Sequence, residues 1–231
     1  MASLPEPQEW FLEELIGLGQ VWTLEDGSYC VTHKKTLVEF VSADPARGGT
    51  RLRDFHDQHG FSAALVKSYD HDLVRSFNQL GWTAVVGGLL FRKRRARYTA
   101  AFDGAKIRAA TSADLRAIWQ INDTFFDSRE ELDGLLGSAS LWTVTIDGGV
   151  AGCGLTNRIN AESDAVDVGM MVAPSFRRRG LGTHIVSELC AKVESQGLRP
   201  VCGCAADNIA SRATLEKAGF LSEHQLLRFT P

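Results

Sequence analysis

The sequence predicts an α/β chain in which a mixed, mostly antiparallel sheet is flanked by helices. Apolar runs of strand length alternate with amphipathic helical segments along the whole chain. Turn signals at Asp26-Gly27 and at Asp147-Gly148-Gly149 separate pairs of these runs, which is typical of antiparallel hairpins. The hydrophobic share of 44% and the charged share of 23% are those of an ordinary globular protein, which argues against disorder or a fibrous fold. The length of 231 residues fits one large domain or two small ones.

The first half of the chain is predicted to begin with a helix and to continue mainly as strands. Residues 5–19 carry a broad apolar stripe at helical spacing and end in glycines. Two strands then flank Asp26-Gly27, and a third stops at Asp44-Pro45. The remaining elements expected here are a loop leading into a short helix at 46–60, a strand at 61–68, a helix at 70–81 and a strand at 82–91.

The second half repeats this alternation. Ser112 or Thr111 is expected to cap the first helix after the strand at 105–111. The elements that follow are helices at 112–123 and 128–139, strands at 141–147, 150–159 and 165–172, a helix at 181–196, a strand at 199–206, a helix at 211–219 and a strand at 223–229.

The basic run RKRRAR at 92–97 follows a predicted strand, and its simplest interpretation is a solvated linker. The alternative, a nucleic-acid contact, is weak because one short patch without interleaved aromatic residues supplies few phosphate contacts. We therefore expect two domains, an N-terminal α/β domain at 1–97 and a second domain at 98–231.

An internal repeat relates the two halves. Residues 61–91 align with residues 199–229 without a gap, and the glycines that end the two helices, Gly81 and Gly219, occupy the same place. Two explanations stay open: common descent of the two segments, or the ordinary spacing of any strand-helix-strand unit. Under the first, the N-terminal domain is a degenerate half-copy of the second.

Charge and cysteine content limit the classes of partner. The net charge of −3 gives no general field to attract nucleic acid or an anionic membrane. No apolar run reaches the roughly 18 residues of a membrane span, and the start MASLPEPQEW lacks the basic segment of a signal peptide, so a cytoplasmic protein is expected. The 5 cysteines lack CxxC spacing and predict neither a disulfide framework nor a metal site. We expect Cys202 and Cys204 to be small core residues of a buried strand.

The segment from Val172 to Thr183, VAPSFRRRGLGT, has the composition of an anion-binding loop. It lies between a predicted strand and a predicted helix, and Gly180 and Gly182 would let a ligand approach the backbone at the helix start. Arg177, Arg178 and Arg179 add positive charge, which suits a diphosphate. The plain alternative is a helix start behind a solvated basic loop. Neither a GxxxxGK[ST] phosphate loop nor a GxGxxG fingerprint occurs in the chain.

These residues resemble the signature of the GNAT superfamily of acyl-CoA-dependent N-acyltransferases. Arg177-x-x-Gly180-x-Gly182 matches its glycine motif, and Val172-Ala173-Pro174 matches the Val-x-Pro that precedes that motif. A second segment, from Asp207 to Phe220, resembles the family's Asn-x-x-Ala/Ser and Glu-Lys-x-Gly-Phe pattern. The resemblance covers 98–231 and implies the GNAT fold for that portion.

The resemblance implies a site for acetyl-CoA as co-substrate. The strands at 165–172 and 199–206 should separate, and the backbone between them should bind the pantetheine arm. Asn208 is expected to hydrogen-bond the arm; it also fits the N-cap of its helix, and both roles are compatible. The full set of expected acyl-CoA residues is Met170, Met171, Val172, Arg177, Arg178, Arg179, Gly180, Leu181, Gly182, Thr183, Asn208 and Ser211.

The catalytic groups are less clearly marked than the acyl-CoA site. Leu215 stands where the family commonly has a tyrosine that protonates the leaving thiolate, so Ser211 is the nearest hydroxyl, or the thiolate leaves unprotonated. The usual basic carboxylate would fall at Val166; Asp167 is one residue away and faces the other side of the strand unless a bulge intervenes.

Other polar residues near this region are weaker candidates for proton transfer. Glu162 and Asp164 are further candidates for the base. We expect His184 to contact phosphate or solvent and His224 to be a partly exposed sheet histidine.

The sequence therefore predicts an enzyme that transfers an acetyl or other short acyl group from acyl-CoA to the primary amine of a small molecule or amino acid, by direct attack. One alternative is an acyl-CoA-binding module without turnover, suggested by Leu215. Another is a glycine N-acyltransferase-like enzyme with longer acyl donors, suggested by the N-terminal portion. We expect a monomer, with a homodimer as the alternative, and no metal, nucleic-acid or membrane partner.

Overall fold

The computed structural model describes residues 6–95 and 102–231. The predicted domain boundary between residues 97 and 98, and the end of the basic run, lie outside the described residues. The chain divides into two compact units: Met1–Leu90 with Cys204–Asn208 and Ser222–Pro231, and Phe91–Gly203 with Ile209–Leu221. We call them unit 1 and unit 2. The last strand of the chain therefore belongs mostly to unit 1.

Unit 1 is built on a mixed sheet. Its elements are α1 (Trp10–Gly17), β1 (Gln20–Thr23), β2 (Tyr29–His33), β3 (Thr36–Val41), α2 (Gly48–His59), β4 (Ala63–Lys67), α3 (His71–Gln79), most of β5 (Thr83–Arg94) and most of β11 (Phe220–Thr230). The strand order is β1-β2-β3-β4-β11-β5. Strands β1, β2 and β3 are antiparallel neighbours, β3 and β4 are parallel, and β11 is antiparallel to β4.

Aromatic side chains fill the core of unit 1. Phe77 stacks on Phe229 with the ring centroids 4.9 Å apart, and Phe61 and Trp82 lie against the same cluster. Helix α2 contributes Leu52 and Phe55, both fully buried. The sequence predicts only a loop and a short helix here, because the adjacent glycines Gly48-Gly49 disfavour a helix; burial of this apolar face outweighs that preference.

Unit 2 has a sheet of the same kind. Its elements are β6 (Lys106–Ala109), α4 (Leu115–Gln120), α5 (Arg129–Gly137), β7 (Leu141–Ile146), β8 (Gly149–Arg158), β9 (Ala165–Val172), α6 (Leu181–Ser195), most of β10 (Arg199–Ala205) and α7 (Ile209–Lys217). The order is β10-β9-β8-β7-β6, antiparallel except for the parallel pair β9 and β10. The predicted mixed, mostly antiparallel sheet is confirmed. Thr111, with Asp114, forms the capping box that opens the segment before α4.

The interpretation of the basic run as a solvated linker is wrong for its described part. Strand β5 continues to Arg94, and Arg92 is only 2% exposed. The Arg92 guanidinium donates to the Cys202 carbonyl, while Arg94 donates to the Ala218 carbonyl and to Glu194 Oε1. These internal acceptors bond both guanidinium groups, which offsets part of the cost of taking their charges out of water.

The repeat in the sequence is also a repeat of elements. Helices α3 and α7 both have 9 residues, and the start and end of α7 are each 138 positions beyond those of α3 (209 − 71 and 217 − 79). Gly81 and Gly219, which follow the two helices, both have positive φ angles, of 76° and 94°. Phe91 and Phe229 are both buried. The two segments share element boundaries as well as sequence spacing.

Candidate active site

Strands β9 and β10 separate after three paired residues. Their parallel register joins Ala165 to Arg199, Val166 to Pro200 and Asp167 to Val201, and ends there. Strand β9 continues to Val172 in register with β8. The predicted separation of the two strands is confirmed. It leaves the β10 side of Met170–Val172 available to an added strand or to an extended ligand.

A glycine-containing loop leads from the end of β9 into helix α6. A single 3₁₀ turn covers Pro174–Phe176, and Arg178 and Gly180 have positive φ angles of 62° and 91°. Gly180 is the residue before the first turn of α6, and a β-carbon there would meet no atom within 4 Å. The first N–H groups of α6 carry a partial positive charge, and no side chain at position 180 covers them. This is the geometry of an anion-binding helix start.

Gly182 is closely packed on the opposite side. A β-carbon at this position would lie 3.1 Å from Thr214 Cγ2, and 3.5 Å from both Met170 Sδ and Val172 Cγ2. Three elements, β9, α6 and α7, thus converge at one glycine. Thr214 is a residue that motif reasoning misses, since its role depends on a contact between helices that are distant in sequence.

The three arginines of the loop have different surroundings. Arg177 donates from Nε to the Val172 carbonyl and from Nη1 to Asp123 Oδ2, each over 3.0 Å. The Arg179 guanidinium lies over the Phe176 ring at 5.5 Å and near the Phe102 ring at 5.9 Å. Arg178 is exposed. The side chains expected to bind one diphosphate therefore make separate contacts.

Leu181 and Thr183, also expected at the acyl-CoA site, are buried, with 1% and 6% exposure. Their backbone N–H groups belong to the first turn of α6. His184 is 9% exposed and its ring centroid lies 6.4 Å from that of Phe102. Of the two contacts expected for His184, solvent is wrong because the side chain is buried, and contact with phosphate stays a prediction.

Asp167 lies at the last paired position before the strands separate. The register of β8 and β9 runs from Gly152–Val172 to Arg158–Val166 without a shift, so no bulge reverses the side-chain alternation. Met170 and Val172 face α6, as their contacts with Gly182 show. Asp167 therefore points to the opposite face, together with Gly169. Its side chain is half-buried there.

Glu162 and Asp164 lie in the loop before β9. The Glu162 N–H donates to Asn160 Oδ1, and its side chain is exposed. The Asp164 carbonyl accepts from Arg199 N–H at the paired end of β9 and β10. This end is separated from the glycine loop by the length of β9, roughly 23 Å at about 3.3 Å per residue. The structure brings neither carboxylate to the α6 N-terminus.

Helix α7 carries the remaining predicted residues. Asn208 directly precedes it, is exposed, and donates its backbone N–H to the Ala205 carbonyl over 3.0 Å. Ser211 is half-buried in the first turn. Leu215, one turn further on the same face, is 2% exposed and belongs to the core. In unit 1, His224 is half-buried with its ring edge-on to Tyr69 at 5.1 Å, which fits a structural role.

The described residues hold no group of three or more His, Cys, Asp or Glu side chains placed to bind a metal ion. No helix within 6–95 or 102–231 is long and apolar enough to cross a membrane. All five cysteines are described and all are free thiols; Cys202 is buried, as expected, while Cys204 is half-buried.

A sheet with two separating parallel strands, followed by a glycine loop at a helix start, is the arrangement that the resemblance to acyl-CoA-dependent N-acyltransferases predicts. The family model "Acetyltransferase (GNAT) family" matches residues 106–220. This portion is a GNAT acetyltransferase domain, and through it the chain belongs to the GNAT superfamily. The comparison with curated proteins gave no match.

Solved GNAT structures share the fold. A GNAT-family acetyltransferase from Colwellia psychrerythraea is 17% identical, with a TM-score of 0.82 over 99% of this chain and 91% of that one. A GCN5-related N-acetyltransferase from Sphaerobacter thermophilus is 14% identical, with a TM-score of 0.65 over 90% and 80%. A tandem GNAT protein from the clavulanic acid biosynthesis pathway is 10% identical, with a TM-score of 0.64 over 98% and 90%. The fold extends over the whole chain, including its N-terminal portion.

Proposed function

We propose that this protein is a cytoplasmic N-acetyltransferase that transfers the acetyl group of acetyl-CoA to the primary amine of a small molecule or amino acid. One observation carries the proposal: the separation of β9 from β10 opens next to the glycine loop at the start of α6. An extended thioester arm needs the first feature and a diphosphate needs the second. Both are present on consecutive elements of one unit.

The residues of the loop fit acyl-CoA. Gly180 leaves the first N–H groups of α6 accessible, and the exposed Arg178 adds positive charge at the same place. Main-chain groups of Met170–Val172 are available for pairing with the amide groups of the arm. Asn208 and Ser211 keep the role that the family resemblance gives them, as further hydrogen-bonding groups at the start of α7.

Acetyl-CoA supplies the activated acyl group, and the residues of the chain orient the amine and move protons. We assign Asp167 as the group that accepts the ammonium proton, directly or through one water, because it lies where the strands separate. Leu215 cannot donate a proton to the leaving sulfur. A thiolate with a pKa near 8.5, by analogy with cysteine, leaves without an acid at a modest cost, or Ser211 assists it.

The test is turnover with acetyl-CoA and a library of primary amines, read as free thiol. We expect the wild type to release thiol with at least one amine, and Gly182→Trp to abolish release, because an indole does not fit between α6, α7 and β9 and must displace the start of α6. Gly134→Trp is the matched control, since Gly134 is exposed on α5 with no atom within 4 Å of its β-carbon position. Absence of thermal stabilisation by every CoA ester would disprove an acyl-CoA site.

A second candidate is an acyl-CoA-binding module without turnover. The burial of Leu215, at the place where the family commonly has tyrosine, favours it. This candidate predicts stabilisation by acetyl-CoA without thiol release across the whole library. A single amine with steady turnover that depends on Asp167, tested with Asp167→Asn, eliminates it.

A third candidate is an N-acyltransferase that uses a longer acyl-CoA as the acyl donor. The N-terminal portion before a GNAT domain resembles glycine N-acyltransferase-like proteins, for which longer acyl donors and an amino-acid acceptor are expected. Rates with acetyl-, hexanoyl- and benzoyl-CoA at equal concentration separate the two. A strict acetyl preference supports the main proposal.

We further propose that unit 1 is a degenerate GNAT half that binds no acyl-CoA. Its parallel strands β3 and β4 pair only at Thr36–Ala63 and Leu37–Ala64 and then separate, as β9 and β10 do. Beside β4, however, the chain's own N-terminal segment is fixed: Lys67, 3% exposed, donates to Gln8 Oε1, and Tyr69 donates to the Pro7 carbonyl. This segment covers the end of β4.

Calorimetry tests this assignment. We expect one acetyl-CoA per chain, lost in Gly182→Trp and retained in Gly48→Trp if that variant melts cooperatively. Light scattering should give the mass of a monomer. Two sites per chain or an obligate dimer would refute the assignment while leaving the catalytic proposal intact.

A further inference from the structure

We propose that the Arg177 side chain is a positioning residue that connects the acyl-CoA loop to the turn at 122–126, and that this turn presents Phe125 to the acceptor amine. The inference rests on the proposed function. The backbone of Arg177 remains part of the loop, but its guanidinium acts through Asp123.

Arg177 bonds two elements that are distant in sequence. Its Nε donates to the Val172 carbonyl, at the end of β9, and its Nη1 donates to Asp123 Oδ2, 54 residues earlier in the chain. A guanidinium can bind both acceptors at once because its donors diverge in one plane, which a lysine cannot reproduce. The end of β9 is thereby tied to the segment between α4 and α5.

The turn at 122–126 is held by hydrogen bonds to the Asn122 side chain. Asn122 Oδ1 accepts the N–H groups of Phe125 and Phe126 at 3.1 and 3.0 Å, and Asn122 Nδ2 donates to the Phe126 carbonyl. Thr124 has a φ of 59°, which is unfavourable for a β-branched residue. Such a conformation persists only where surrounding contacts hold it. Asn122 provides them on one side, and the Arg177–Asp123 pair provides them on the other.

The Phe125 ring points towards strand β9. A β-carbon on Gly169 would lie 3.5 Å from Phe125 Cζ, so the ring lies against β9 two residues beyond Asp167. Gly169 and Asp167 share the face of β9 that points away from α6. Phe125 packs at 4.8 Å, edge to face, on the buried Phe126, which fixes its base. The half-buried ring therefore lies on the same face as the proposed base, close to where the strands separate.

These contacts predict which kinetic constant depends on Arg177. A side chain that binds only the diphosphate would change acyl-CoA affinity, whereas a side chain that holds the Phe125 turn changes the acceptor KM. We expect Asp123→Asn to raise the acceptor KM about threefold to fivefold, the upper part of the range for an exposed ion pair, with kcat and acetyl-CoA affinity changed less than about twofold. Asp123→Glu should restore most of the loss.

The matched control is Asp127→Asn, which removes the same charge from the same loop without touching Arg177. It should leave the acceptor KM unchanged. In the double variant Asp123→Asn/Arg177→Met the acceptor KM should equal that of Arg177→Met alone, because Arg177→Met already removes the contact with Asp123 that Asp123→Asn weakens. Additive effects, or an Asp127→Asn effect as large as that of Asp123→Asn, would overturn the proposal.

Backbone hydrogen exchange provides a readout that needs no acceptor. We expect faster exchange of the Phe125 and Phe126 amides in Asp123→Asn, and unchanged exchange in Asp127→Asn. If acetyl-CoA binds and these amides do not respond, the connection is refuted and the acyl-CoA site stands. If neither thiol release nor acetyl-CoA binding is found, the proposed function fails, while altered exchange would still establish the contact.

Discussion

Gly182 lies against Thr214: a β-carbon at position 182 would stand 3.1 Å from Thr214 Cγ2. The same relationship occurs in unit 1, where a β-carbon on Gly48 would stand 3.1 Å from Ser76 Oγ. Thr214 and Ser76 are separated by 138 positions, the offset that relates α7 to α3. In each unit, a glycine in the first turn of one helix allows the following helix to pack closely against it: α7 against α6 and α3 against α2.

We expect Gly182→Ala to destabilise the protein by about 1 kcal/mol, because the added methyl would stand only 3.1 Å from Thr214 Cγ2 and the cost of this close contact outweighs the better helix propensity of alanine. Thr214→Ser removes the methyl that is nearest and keeps a hydroxyl at the position where Thr214 bonds the Ala210 carbonyl. The cost of Gly182→Ala should therefore shrink in the Thr214→Ser background.

Urea unfolding of the wild type, the two single variants and the double variant measures the coupling between positions 182 and 214. Gly134→Ala is the control, since its β-carbon would meet no atom, and it should be stabilising by roughly 0.5–1 kcal/mol. If Gly182→Ala lowers the free energy of unfolding equally in both backgrounds, Thr214 Cγ2 is not the atom that the new β-carbon contacts.

A second prediction concerns acid stability. The Arg108 guanidinium binds both Asp114 oxygens at 2.7 Å and, with the Thr111 cap, holds the pKa of Asp114 far below its usual range. In the unfolded chain this carboxyl titrates near pH 3.9. Because the folded pKa is the lower one, the stabilisation is present above about pH 4 and is lost as the pH falls below it.

Asp114→Asn should cost about 2 kcal/mol at pH 7, the sum of a lost cap and a charged hydrogen bond, and progressively less below pH 4. Thermal melting of the wild type and the variant between pH 2.5 and 7 checks this. A constant difference over that range would contradict the assignment.

The glycine loop and the order of the elements could be predicted from the sequence because their physics is local. Gly180 and Gly182 mark a helix start whether or not the rest of the fold is known. The partners of the arginines could not be predicted in this way. Arg177 meets Asp123 across 54 residues, and Arg92 meets Cys202 across 110, so only the assembled sheet brings them together.

The surroundings of the basic run at 92–95 could not be predicted from the sequence either. Burying a charged side chain is costly, so each of four consecutive charged residues, considered alone, is expected to lie at the surface. In β5, alternate side chains point to opposite faces, so Arg92 and Arg94 reach internal acceptors while Arg95 is exposed. The charge pattern alone does not distinguish the two environments.

A third prediction follows for Arg94. It forms an ion pair with Glu194 of α6 at 3.0 Å and donates to the Ala218 carbonyl after α7, with 8% of its side chain exposed. Removing one partner of such a pair is costly, and we expect Arg94→Met to destabilise by about 2–3 kcal/mol. Arg95→Met, one residue on and exposed, should cost less than about 0.5 kcal/mol.

The double variant Arg94→Met/Glu194→Gln separates the pair from packing. If the ion pair carries the effect, the double variant is less destabilised than the sum of the two single variants. Denaturant midpoints of the four proteins decide it, and simple additivity would assign the effect of Arg94 to its packing and its bond to Ala218.

The fourth prediction concerns thiol reactivity, which also determines whether free-thiol assays can be used. Burial raises the pKa of Cys30, Cys153 and Cys190 to about 12, so at pH 8 the reactive thiolate is a negligible fraction of each. Cys202 is buried as well, and Cys204 alone is half-buried. In the folded protein a chromogenic thiol reagent should therefore react within minutes with one cysteine at most, and with all five after unfolding. Cys204→Ala should remove the fast phase. A second fast thiol in Cys204→Ala would mean that one of the buried strands or α6 opens on this timescale, and hydrogen exchange of Cys153 and Cys190 would identify which.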